Sequence, residues 1–278
     1  LAAANADLVP TVPVRAYTEI PPALAAVARD PRERGRLWVE ERSGLHWRQP
    51  PHKKRDYFQW DRAALGGYAA AAFGHDLAFN VDIEALSPFG YAAAGVLAST
   101  APTREKLMFL GAAGVTHIVS FRAYNSPYAE LLAAIETRAE EPLRVIRNRL
   151  ARPRARVVQR LVPYDGNEGF TAVVRDADVD LFARSALVDR RRLPRIQPLD
   201  HDEGMPGRCS IVADDGNRLE IHTAGGGGYL VVSDAAAPGW RARVDGVPTE
   251  IHVADYAFRC VAVPAGEHVV VMAYNPWW

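Results

Sequence analysis

Ser233-Asp-Ala-Ala-Ala-Pro-Gly-Trp-Arg-Ala-Arg-Val-Asp-Gly246 is the stretch whose reading decides the fold. Within it Trp240, Ala242 and Val244 alternate with Arg241 and Arg243, so a strand would carry one buried and one wet face. Asp245-Gly246 then supplies the positive φ angles of a type I′ hairpin turn. The same alternation extends outward. Cys209–Ala213, Arg218–His222 and Tyr229–Ser233 precede it, while Thr249–Val253, Phe258–Val263 and His268–Met272 follow. Turn residues separate these segments: Asp214-Asp-Gly-Asn217, Gly225–Gly228, Pro238-Gly239 and Pro264-Ala-Gly266. Short period-two segments at this spacing predict an antiparallel β-sandwich over 208–278. The glycine run is followed by a strand and not by a Lys-Ser/Thr and helix, so it is a turn and not a phosphate loop.

Upstream the pattern changes to helix, glycine, β-branched strand, the grammar of an α/β layer. Arg104–Ala113, opened by Thr103, is a helix; Gly114 ends it and Val115–Ser120 is a strand. Arg36–Glu40, Leu143–Arg147 and Val157–Val162 are further strands, and Ala63–Phe73, Pro88–Ala98 and Pro127–Thr137 further helices. The expected class is therefore α+β, an N-terminal α/β domain followed by a C-terminal antiparallel β-sandwich. The expected boundaries are a tether over 1–35, the α/β domain over 36–165, a connector over 166–207 and the sandwich over 208–278. The tether holds one amphipathic helix, Pro22–Arg29, with Leu24 and Val27 inward. In the connector Phe170–Arg175 reads as a short strand, Asp178–Ala186 as a helix or turn, and Arg190–Gly207 as linker.

The 33 Lys and Arg residues equal the 33 Asp and Glu, which gives no electrostatic footprint for nucleic acid. No apolar run reaches the roughly 20 residues of a membrane helix. The chain opens on Leu1 without a leader pattern and is taken as an excerpt. Cys209 and Cys260 lie on different strands, so a bridge across the sandwich is one option. Alternation points them to different faces and favours two free thiols.

No catalytic set is legible, and neither a metal nor another cofactor is expected. Asp200-His-Asp-Glu203 has ligand-type side chains, but a turn-rich linker is its ordinary home. Arg152, Arg154 and Arg156 alternate on one face within a longer arginine run. They suit either a solvated strand edge, the stronger reading, or contact with anionic lipid or a lipid-linked phosphate. Trp47 and Trp60 flank Lys53, Lys54 and Arg55 in an aperiodic segment over 46–60, read as a long loop and as a candidate surface for an acceptor or a neighbouring domain. Trp240 is expected in the core. Trp277-Trp278 suit the headgroup layer of a membrane.

The opening string, with Ile251-His-Val-Ala-Asp-Tyr256, Val263-Pro-Ala-Gly-Glu-His268 and Tyr274-Asn-Pro276, resembles the end of the YfhO-like bacterial membrane proteins. The residues carrying the likeness are Pro238, Gly239, Trp240, Asp245, Gly246 and Gly266, with His268. Two weaker matches fall in the same order, Gly111–Val119 and Asn148 with Arg152-Pro-Arg-Ala155. The family resembles GT-C glycosyltransferases, which use lipid-linked sugar donors outside the cytoplasm. The resemblance implies a non-catalytic extracytoplasmic region on a bacterial cytoplasmic membrane, since the GT-C carboxylate lies in an early loop with no counterpart here. Its partners would be the membrane helices of the parent chain, and anionic lipid or a glycan acceptor. A free-standing carbohydrate-binding or adhesion module on the same sandwich is the alternative.

Overall fold

The computed structural model describes residues 18–28, 35–40, 45–67, 69–79, 88–196 and 207–275. Asp200–Glu203 and Trp277-Trp278 lie outside the described residues. The chain divides into two compact units, 1–81 with 115–149 and 82–114 with 150–278. That division replaces the expected boundaries at 35, 165 and 207, because segments distant in sequence supply strands and helices to one another's layers.

The first unit comprises α1 (Pro22–Ala28), β1 (Arg36–Val39), α2 (Lys54–Ala63), β2 (Val115–Ser120), β3 (Ala129–Ile135) and β4 (Leu143–Asn148). Its sheet has the order β1-β2-β4-β3, with β1 and β2 parallel and the other neighbours antiparallel. Strand β2 is buried along its whole length, as its central place and unbroken Val-Thr-His-Ile-Val run require. The core gathers Leu24, Val27, Leu37, Trp60, Leu65, Val119, Phe121 and Val145. Leu24 and Val27 point inward as expected, but this makes α1 part of the core and not of a tether.

Three local expectations in this unit give way to tertiary context. Ala129–Ile135 is helix-favouring by composition, yet it pairs antiparallel with β4 and is a strand. The segment expected as an aperiodic loop contains α2. That helix stops at Ala63, where Leu65 (φ 62°) and Gly67 (φ 56°) turn the chain, so no helix runs through to Phe73.

The second unit begins with α3 (Phe89–Thr100) and α4 (Thr103–Ala112) and continues with β5 (Ala155–Val158) and β6 (Arg160–Tyr164). Next come α5 (Gly166–Asp176), α6 (Leu181–Arg184) and β7 (Ser185–Asp189). The remaining strands are β8 (Arg208–Asp214), β9 (Arg218–Ala224), β10 (Gly228–Ala235), β11 (Trp240–Val244), β12 (Val247–Thr249), β13 (His252–Ala254), β14 (Phe258–Val263) and β15 (His268–Tyr274). A five-stranded sheet, β12-β11-β15-β9-β8, faces a four-stranded one, β13-β14-β10-β5. Leu219, Ile221, Val244, Val270 and Met272 from the first meet Ala155, Leu230, Val232, Val261 and Val263 from the second. This is the C-terminal sandwich, and the class is α+β as expected.

Strand β5 lies in the expected α/β domain by sequence, but it pairs with β10 and completes the second sheet of the sandwich. Within the expected connector, 166–189 is structured as well. Phe170–Arg175 belongs to α5, with Phe170 and Val174 buried on one face, and β7 pairs in parallel with β6. On the far side of the second sheet, Phe258 stacks on Phe109 of α4 at 6.3 Å, and Phe170 meets Phe109 edge-on at 5.3 Å. At the glycine run, Gly227 has φ 75°, and a methyl group there would lie 2.6 Å from the Ala265 nitrogen. Only glycine fits that crossing.

Candidate functional site

The hairpin turn forms as its sequence dictates, with φ 50° at Asp245 and 81° at Gly246. It is fastened to the start of β15. The Asp245 N–H donates to the Val269 carbonyl at 2.9 Å. The Val269 N–H in turn donates to Asp245 Oδ1 at 2.9 Å, and Oδ2 lies 2.6 Å from His268 Nδ1. The other ring nitrogen, Nε2, is 3.1 Å from the Ala265 carbonyl in the turn that contains Gly266. Two separated parts of the family-like pattern therefore meet in one fastening.

Trp240 forms a second one. It packs on the sandwich core with Ala242 and Val244, as expected, though it stays half-buried. Its register partner Tyr274 sits 5.5 Å away between ring centroids, and the Asn275 N–H donates to the Gly239 carbonyl at 2.8 Å. Above the indole lies the guanidinium of Arg259, which also donates to Asp234 Oδ2 at 2.6 Å. Arg154 grips Asp234 with a two-pronged contact at 2.9 and 2.8 Å and donates to Asp214 at 2.5 Å. Pro88, Arg154, Asp214, Asp234, Trp240 and Arg259 line a cleft of about 280 Å³. Burial pushes the Asp214 carboxyl up, but donation from Arg154 and from the Gly216 N–H outweighs it and holds the group below its ordinary value. Asp214 therefore has no proton to give near neutral pH and is no general acid.

Asp255, from the Ile251–Tyr256 string, is the third. It adopts φ 46°, followed by Tyr256 at φ 76°, two non-glycine residues in the left-handed region. Such a turn persists only where its surroundings over-determine it. Asp255 exchanges both backbone and side-chain hydrogen bonds with Leu187 of β7, each 2.7 Å, and pairs with Arg156. Arg156 also donates to the Ala112 carbonyl at 3.1 Å. Burial lowers the Arg156 pKa and raises that of Asp255, while each partner's charge opposes the change.

Strand β5 does lie at the edge of its sheet, but the arginine row is paired internally and is neither freely solvated nor a free basic face. Arg152 donates to Asp180 at 3.0 Å, Arg154 is bound to Asp214 and Asp234, and Arg156 is buried against Asp255. Their charge is compensated within the second unit. In the first unit Trp47 and Trp60 do come together, edge to face at 4.6 Å. Trp60 is a core residue, stacked 6.0 Å from Phe121, and Trp47 packs against the same cluster, so the pair supports the core and does not present a flat surface.

Burial pushes the Cys209 thiol up to about 11 and the Cys260 thiol up to about 12, and both are free. Neither is an activated nucleophile. Among the described residues no group of His, Cys, Asp and Glu is placed to hold a metal ion. No helix among them is long and apolar enough to cross a membrane.

The fold and its fastenings define a β-sandwich module whose distinctive residues hold its own strands together. No known family, curated protein or solved structure matches the chain.

Proposed function

We propose that this chain is the non-catalytic extracytoplasmic region of a YfhO-like multi-pass membrane glycosyltransferase that uses a lipid-linked sugar donor. In that role it braces the membrane part or shapes the acceptor site. One observation carries the reading. The residues that resemble the family's pattern, Trp240, Asp245, Asp255 and His268, serve as fasteners inside the second unit and not as a reacting set. A scaffold needs such residues at fixed positions, whereas a catalytic pocket would need an acid, a base or a metal that is exposed to substrate. The carbohydrate-binding alternative receives less support, because one face of Trp240 already carries the Arg259 guanidinium.

The test has two arms. The purified chain should transfer no sugar from a polyprenyl-phosphate donor, and turnover by this chain alone would overturn the non-catalytic role. The coding sequence on either side should specify apolar spans of about 20 residues. A signal peptide directly upstream with a stop codon after Trp278 would overturn the membrane assignment and favour the free-standing module.

A further inference from the structure

His268 sits between two acceptors. Nδ1 faces the Asp245 carboxylate at 2.6 Å and Nε2 faces the Ala265 carbonyl at 3.1 Å. A neutral imidazole carries one N–H and one bare nitrogen, and only the protonated ring donates from both. A neutral ring here would set a nitrogen lone pair against an oxygen lone pair. We infer that His268 is a resident imidazolium, and that its proton closes a pH-sensitive latch between the β11–β12 turn and the start of β15.

The surroundings make the latch local and identifiable. Arg243, beside the turn, directs its guanidinium to the Gly246 carbonyl at 2.7 Å. Glu267 adjoins His268 in the chain, and with Arg208 and His222 from β8 and β9 these side chains line a groove of about 640 Å³. Release of the ring therefore changes the wall of that groove. Asp245 is the charged group in direct contact with the ring, and its other oxygen holds the Val269 N–H. Consistent with the geometry, the hydrogen bond that the His268 ring donates to Asp245 raises the His268 pKa above the ordinary imidazole value, and the same contact lowers that of Asp245. A raised histidine value means that the stabilisation is complete below the unfolded value of about 6.5 and disappears as pH rises through the folded one. A lowered aspartate value means that its share is lost as pH falls through the folded aspartate value. The latch is closed between the two and opens on either side.

Nitrogen-15 NMR of the histidine rings in the full chain tests this directly. At neutral pH both nitrogens of His268 should report protonation, with a titration midpoint above about 6.5. Asp245→Asn should lower that midpoint toward the ordinary imidazole value. Protection of the Val269 amide from exchange, corrected for intrinsic pH dependence, should fall across the same midpoint in the wild type and show no such step in His268→Gln. A singly protonated His268 at neutral pH, or a midpoint at or below the ordinary value, would overturn the proposal. So would a step that persists in His268→Gln, since His222 or His252 would then be its source. If His268→Gln does not fold, the ring-nitrogen titration of the wild type and of Asp245→Asn decides alone.

Discussion

The guanidinium of Arg259 lies 3.7 Å from the centroid of the Trp240 ring, and Arg259 is itself 3% exposed. A desolvated cation over an indole face contributes about 2 kcal/mol. Trp240 is half-buried, so Trp240→Ala should cost about 2–3 kcal/mol, less than the ~3–5 of a fully enclosed aromatic. Urea unfolding of Trp240→Leu, Arg259→Leu and the double variant should give a coupling of about 1–2 kcal/mol. Additive losses would show that the stacked pair contributes nothing beyond burial.

Breaking the Arg156–Asp255 pair should be costly, because either side chain alone would leave a charge in a site with almost no water access. Asp255→Ala is expected to lose about 3–5 kcal/mol in denaturant unfolding. Asp255→Asn should lose less, since asparagine tolerates the left-handed φ and keeps an acceptor for the Leu187 N–H. Equal losses from the two variants would put the whole effect on charge.

Both thiols should resist modification in the folded protein. Cys260 is buried in β14 and Cys209 is half-buried in β8, with burial holding each in the protonated form. A dithiobis-nitrobenzoate assay should show slow, incomplete reaction in buffer and two rapid equivalents in urea. A rapid native phase would indicate that β8 opens.

Arg152→Gln should leave flotation with anionic liposomes unchanged, at low and at physiological salt. Its guanidinium is already engaged by Asp180 and the Val179 carbonyl, and so adds little to any outward field. A salt-sensitive loss confined to anionic liposomes would show that the pair opens at a membrane.

The sandwich was legible because its strands announce themselves locally. Alternation at Trp240–Val244 and the Asp245-Gly246 turn need no distant partner to be recognised, and both have the expected geometry. Other features depend on partners that sequence proximity cannot reveal. Ala129–Ile135 becomes a strand through β4, and Phe170–Arg175 a helix through the face that buries Phe170 and Val174. The arginine alternation was visible, but its meaning was not. Arg152, Arg154 and Arg156 find carboxylates 28, 60, 80 and 99 residues away, and no window on the sequence joins them. A separation of 23 residues likewise hides the meeting of Asp245 with His268 until the strands are in register.

Strand β5 pairs with β10 across all of β6 to β9, Val158 opposite Tyr229, and α3 and α4 belong to the second unit while the chain between Val115 and Arg149 belongs to the first. This has a consequence for synthesis. As the polypeptide leaves the ribosome, α3 and α4 emerge long before the strands that bury Phe109 exist, and β5 waits for β10 with its edge unsatisfied. An early folding intermediate would present these surfaces to chaperones. No single cleavage of the backbone separates the two units cleanly. A truncated 208–278 fragment would present the bare edge of β10, an invitation to pair with another copy. The second unit can close only once β10 has been made.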